Sequence, residues 1–268
     1  MISREQLDDR RGFPVAAQCN KDAIGPPLHS GGVSGTWVLL SIHTLWIKLR
    51  TPLEKAPGAW HATAMFPALT PPARVTAGLI ALLAAGSVVA RYVYDLGVGT
   101  ESPSETIWDL ARFFTLLTNT LVAITFTVAA FRRDGIGAPW AAALTLAIVL
   151  VGAVYHTLLS GLVAFTGLGW WADQGLHTAV PIACLLWWLA FAPKRTLRYG
   201  DLPMFIMWPC VYVAYALGRG ASDGVYPYPF MDLTTLTAAA VATNLVGLVI
   251  TLLIGGVIFV MIGRFADR

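Results

Sequence analysis

From residue 75 onward the chain alternates long apolar runs with short polar segments. Six runs approach the length a bilayer demands: Val75 to Tyr94, Trp108 to Phe131, Trp140 to Leu168, Ala172 to Ala192, Leu202 to Leu217 and Ala238 to Ile262. A hydrocarbon core of about 30 Å takes about 20 residues of helix. The pattern therefore predicts an all-α, polytopic membrane protein, a six-transmembrane-helix bundle. The fifth run is the shortest and carries Pro203 and Pro209, which predicts a bent or tilted helix. Residues 1–64 break the rhythm, mixing glycine, proline and charge. Their one apolar stretch, Trp37 to Ile47, is too short to span and lies beside Lys48 and Arg50. They read as a poorly structured N-terminal extension, with a short interfacial helix as the alternative, ahead of a transmembrane domain over 65–268. The basic, apolar, small-residue order of a secretory signal is not seen in this stretch.

Composition agrees. Hydrophobic residues make up 56% of the 268 positions and charged ones 12%, with a mean hydropathy of +0.65, whereas a soluble domain is about a quarter charged. The net charge of +3 is small, and its basic residues cluster between apolar runs, which excludes a nucleic-acid footprint. Arg74, Arg132, Arg133, Lys194, Arg195, Arg198, Arg264 and Arg268 all fall on one side of a six-span arrangement. The positive-inside rule makes that side cytoplasmic, so both termini are expected inside a cell (inner or plasma) membrane. The opposite segments carry Asp95, Glu101, Glu105, Asp173, Asp223 and Asp232, with Arg112 and Arg219 nearby. Trp108, Trp140, Trp170, Trp171 and Trp208 are expected at or near segment ends. Cys19, Cys184 and Cys210 are widely spaced and suggest no disulfide framework, the last two reading as small core residues.

The candidate chemistry gathers on the outer side. An ionisable group within a bilayer is costly and marks a functional candidate, which singles out His177. Asp173 stands four residues earlier, on the same face if the helix includes it, and can hold the imidazole tautomer. Pro181 lacks the N–H that would meet the His177 carbonyl, which predicts a kink there. The second span enters from outside, so a rise of about 1.5 Å per residue puts Thr115 about 10 Å below Trp108 and level with His177, about 8 Å below Ala172. Thr115, Thr118 and Asn119 form an i, i+3, i+4 polar stripe. Tyr155 and His156 are expected about 15 Å before the outer end of the third span, deeper than His177. The Tyr226-Pro227-Tyr228-Pro229-Phe230 segment is expected to re-enter or cover the bundle. A threonine hydroxyl needs a base to attack an acyl carbon. His177 fits that role, Asp173 that of orienter, and Asn119 or a backbone N–H that of oxyanion donor. For each residue a plainer reading stands alongside: Thr115 bonded to its own helix, His156 packed in the bundle, Tyr228 an interfacial anchor, Asp173 a helix-start charge.

The ordered phrases Phe113-Phe114-Thr115-Leu116-Leu117-Thr118-Asn119, Val154-Tyr155-His156, Trp171 through Pro181 and Tyr226 through Phe230 resemble bacterial members of the androgen-induced, androgen-dependent membrane hydrolase family. The likeness covers roughly Ala73 to Arg264. The resemblance implies a multi-span enzyme whose intramembrane threonine and histidine hydrolyse fatty acid esters of hydroxy fatty acids. Thr115 after Phe113-Phe114, and His177 within Gly175-Leu176-His177-Thr178, hold the matching positions. Asp173 and Gln174 stand where animal relatives tend to carry other polar residues, so the resemblance implies no obligatory role for Asp173.

The leading expectation is thus an integral-membrane lipid (fatty acyl) ester hydrolase that uses no metal or cofactor, with Thr115 and His177 catalytic. Asp173, Asn119, Thr118, Tyr155, His156 and Tyr228 would bind substrate or orient these two. The alternative is a transporter or lipid-binding protein using the same outer pocket, against which stand the lack of an internal repeat and of charged relays. Haem ligation by His156 and His177 is a third reading, weakened by their unequal expected depths.

Overall fold

A computed structural model describes residues 68–132, 135–161 and 164–265, all within the compact unit Trp60–Arg268. The extension over 1–64, its boundary and Cys19 lie outside the described residues. The described residues are predominantly helical and contain no strand. Six stretches among them are long and apolar enough to cross a bilayer: Pro71–Val98, Phe114–Phe131, Ala138–Leu159, Leu168–Phe191, Tyr199–Asp223 and Ala238–Phe265.

The first, α1 (Pro71–Val98), starts from an N-cap at Thr70, whose hydroxyl accepts from the Ala73 N–H, with Pro71 in the first turn. Its buried face is small: Ala73, Ala77, Ala81 and Ala84. The short α2 (Pro103–Leu110) opens with a Ser102 and Glu105 capping box. Next come α3 (Phe114–Phe131) and α4 (Ala138–Val154), the latter prolonged by a π-helical turn over Tyr155–Leu159. The fourth span consists of α5 (Leu168–Gln174), a second π turn over Gly175–Ala179, and α6 (Val180–Phe191). Then α7 (Leu202–Asp223) follows a 3₁₀ turn at Tyr199–Asp201, and α8 (Ala238–Phe265) closes the bundle.

The first helix packs through small residues, and many large apolar side chains face outward, as suits a membrane protein. The alanine face of α1 lies along α3, and α4 lies against α6 and α7. Gly255 and Gly256 bring α8 against Leu146 and Phe205. Outward, Leu82 is 72% exposed and Ile254 58%, an arrangement suited to lipid and not to water. Arg74 closes one end of α3 by donating from Nε to the Ala130 carbonyl at 2.9 Å. The segments rich in acidic residues meet at the opposite end. There Arg112 donates to the carboxylate of Asp223 and the carbonyl of Val225, while Arg219 reaches the Trp108 carbonyl and stacks over its ring at 4.0 Å. Desolvation works against the Arg112 charge, but the paired carboxylates Asp223 and Asp109 outweigh it and hold its pKa above the ordinary arginine value.

Four expectations change. The second span does not run unbroken from Trp108, because the chain turns at Ala111–Phe113 and the helix restarts at Phe114. The third span ends at Leu159 instead of Leu168, with Gly167 in the left-handed region at φ 56°. Cys210 is exposed, not a core residue. Trp208 lies within α7 and turns its indole inward onto the Thr118 hydroxyl at 3.0 Å.

Candidate functional site

Both intramembrane histidines sit in π turns, a rare local geometry that widens a helix by one residue per turn and is frequent at functional sites. Pro181 explains the second turn. A proline cannot donate, so the helix shifts register before it and the Val180 N–H bonds to the Gly175 carbonyl. The Leu176 carbonyl is then taken up by another helix, accepting from Asn119 Nδ2 at 3.3 Å. The His177 carbonyl is met by Gly152 of α4, where a Cβ would stand 2.9 Å from the oxygen. Gly175 gives α1 similar access, since its Cβ would lie 2.2 Å from Ser87 Oγ.

Within this frame Asp173 and His177 share a face, as their spacing requires. The His177 Nδ1 lies 3.0 Å from Asp173 Oδ1 and 3.1 Å from the Asp173 carbonyl oxygen. Tyr155 donates its phenol to the other carboxylate oxygen of Asp173. Its ring stacks on the His177 imidazole, with centroids 4.0 Å apart and planes 12° from parallel. Arg91, paired with Asp95 at 2.8 Å, adds a positive field at Asp173. His156 is not deeper than His177: its ring touches Tyr155 edge-on at 5.0 Å, and its Nε2 is 3.0 Å from Thr178 Oγ1. The earlier end of the third span brings it to this level. The Thr178 hydroxyl donates to Gln174 Oε1 at 3.1 Å, so His156 Nε2 must be the donor in its own bond. An open cleft of about 320 Å³ reaches this cluster, lined by Tyr155, His156, Phe165, Trp170, Asp173 and Gln174 among others.

The polar stripe of α3 is buried throughout: Thr115 is 7% exposed, Thr118 and Asn119 not at all. Thr115 occupies the first turn of α3, not a level 10 Å down a continuous helix. No hydrogen bond joins it to His177 among the described residues. The link between their helices is Asn119, whose Nδ2 donates to the Thr115 carbonyl at 2.8 Å as well as to Leu176. Both amide hydrogens are thus committed, which removes Asn119 as an oxyanion donor in this conformation, and its Oδ1 has no partner. Tyr228, from the segment after α7, covers Thr115. Its phenol lies beside the Thr115 hydroxyl and the Phe114 and Thr115 N–H groups, and its ring contacts Phe113 at 6.3 Å and stacks on Phe230 at 5.2 Å. Burial pushes the phenol above the ordinary tyrosine range, opposed by those hydrogen bonds. The re-entrant reading of the segment fits this placement. Thr118 serves as acceptor for Trp208 and is fully buried.

Sequence reasoning missed the pairing of Arg112 and Arg219 with Asp109 and Asp223. Its signal was present in opposite charges at i, i+3 (Asp109, Arg112) and i, i+4 (Arg219, Asp223). It also missed Arg91, Gln174 and Thr178, two of which stand at i, i+4.

No protein-family model, no curated protein and no solved structure matches the chain.

Proposed function

We propose that this six-span protein is an integral-membrane hydrolase that cleaves a lipid (fatty acyl) ester with Thr115 as nucleophile and His177 as base. One observation carries the reading. The His177 Nδ1 faces two acceptors on Asp173, which favours its proton there and leaves Nε2 to act as base, on a π turn that packs against the helix bearing Thr115. The Nε2 nitrogen would take the Thr115 proton as the hydroxyl oxygen attacks the ester carbonyl, giving a tetrahedral intermediate. Collapse expels the alcohol, protonated by His177, and leaves an acyl-threonine. Water, deprotonated by the same nitrogen, then releases the fatty acid and restores Thr115. The Phe114 and Thr115 N–H groups, in the first turn of α3, are the donors at hand for the oxyanion once Tyr228 withdraws. Basic residues at one end support a cell-membrane placement with both termini cytoplasmic, which sets the site in the outer half. The resemblance of its ordered phrases to those of the androgen-dependent hydrolase family points to the same chemistry.

The full-length protein in lipid nanodiscs should hydrolyse a fluorogenic long-chain acyl ester. Thr115→Ala and His177→Gln should each lower kcat/KM by about 1,000-fold or more at unchanged helicity. Full activity in both variants would sink the assignment. A carrier or lipid-binding protein is the second reading, favoured by the open cleft beside His156 and Trp170. Saturable lipid binding without turnover, and without fluorophosphonate labelling of Thr115, would select it.

A further inference from the structure

We infer that Tyr155 is the positioning residue that fixes both the tautomer and the plane of the His177 imidazole, acting through Asp173. The catalytic consequence rests on the hydrolase reading, whereas the geometry stands without it.

A carboxylate bonded through one oxygen remains free to turn about its Cβ–Cγ axis. Here Asp173 Oδ1 meets His177 Nδ1 at 3.0 Å while Oδ2 accepts from the Tyr155 phenol, so both oxygens are committed and the carboxylate plane is set. The same tyrosine covers one face of the imidazole at 4.0 Å, nearly parallel, which opposes a flip that would exchange Nδ1 for a carbon. The two contacts come from one residue on the α4 π turn and act on two residues of the opposite helix. The other groups around the cluster are the His156 ring, edge-on to Tyr155, and Arg91, which acts on Asp173. A tyrosine hydroxyl in a bilayer needs an acceptor wherever one is offered, so a merely structural role would leave the imidazole unaffected when the phenol is removed.

The test uses full-length protein with ¹⁵N-labelled histidine in nanodiscs, the His177 signals being assigned by their loss in His177→Gln. Wild type should show one tautomer, protonated at Nδ1. Tyr155→Phe keeps the stacked ring and loses the phenol. It should introduce a second, exchanging His177 population and lower kcat about tenfold at unchanged KM. Tyr155→Leu, which also loses the stack, should do both to a greater degree. Wild-type His177 spectra in both variants would overturn the inference. If the wild-type protein turns over no ester, the hydrolase reading falls alone, and the spectra still decide the role of Tyr155.

Discussion

Gly152 lies so close to His177 that a Cβ added to it would stand 2.9 Å from the histidine carbonyl oxygen and 3.2 Å from Pro181 Cβ. Pro181, four residues on, has no N–H to offer that carbonyl. The close passage of α4 is therefore tied to the same local event that makes the π turn, and the turn in turn carries the imidazole to Asp173.

Gly152→Ala should accordingly destabilise the bundle by about 1 to 3 kcal/mol, because the neighbour in the way is backbone and cannot swing aside. Gly86→Ala is the matched control, since nothing lies within 4 Å of its added Cβ and alanine is the better helix former. Thermal unfolding in one detergent should show a lowered midpoint for the first substitution and an equal or higher one for the second. Equal midpoints for the two would remove the close contact as a stabilising feature.

Thr118 separates a structural role from a catalytic one. Its hydroxyl accepts from Trp208 Nε1 at 3.0 Å and its side chain is fully buried. Thr118→Val keeps the shape and strands the indole N–H, a loss of about 1 to 2 kcal/mol. Unfolding experiments should register that loss while kcat per folded molecule stays within about twofold. A much larger fall in kcat would return Thr118 to the substrate-contacting set.

The Tyr228 phenol has a pKa above its usual value of 10.0 because the loop buries it, the Thr115 hydrogen bonds only partly offsetting this. A group whose folded pKa is raised contributes stability that is complete below its unfolded value and is lost as pH rises through the folded one. The segment 224–237 should therefore stay closed to about pH 10 and open above it. Hydrogen exchange of its amides across the alkaline range measures this. Tyr228→Phe has no proton to lose there, so its profile should lack that limb; an identical limb would assign the opening to another group.

How far the sequence disclosed this molecule depends on whether a feature is local. Hydropathy is summed along the chain, so all six spans were legible, and so was the Asp173 to His177 spacing, which needs only one helix. The break at Ala111–Phe113 was not, because no proline or glycine marks it. Among the described residues, Arg112 binds Asp223 and Val225, more than a hundred residues away in sequence, at that point. Gly161 and Gly167 did mark the early end of the third span, but an apolar run through Leu168 outweighed them. That single error of length placed His156 and Tyr155 too deep and concealed the stacking of Tyr155 on His177. The depth match between Thr115 and His177 likewise rested on a continuous helix. What now relates their helices is Asn119, which a hydropathy pattern could place on the right face but not against a particular carbonyl.

Asn119 bears the last prediction because its two candidate roles differ in a measurable ratio. As a clamp, Nδ2 holds the Thr115 and Leu176 carbonyls while Oδ1 stays buried and unpartnered. Asn119→Leu then leaves the Leu176 oxygen unsatisfied in an apolar interior, a cost of about 1 to 3 kcal/mol. Asn119→Asp sets a carboxylate against two carbonyl oxygens, and should cost about 3 kcal/mol or more or take up a proton instead. Stability should thus fall in the order wild type, Leu, Asp, while kcat corrected for the folded fraction falls only a few-fold in the leucine variant. An oxyanion donor behaves otherwise, because removing one costs about 100- to 1,000-fold in kcat. A loss of that size in folded Asn119→Leu would mean that the amide turns from Leu176 to the substrate during turnover, and the clamp would then be a resting arrangement only.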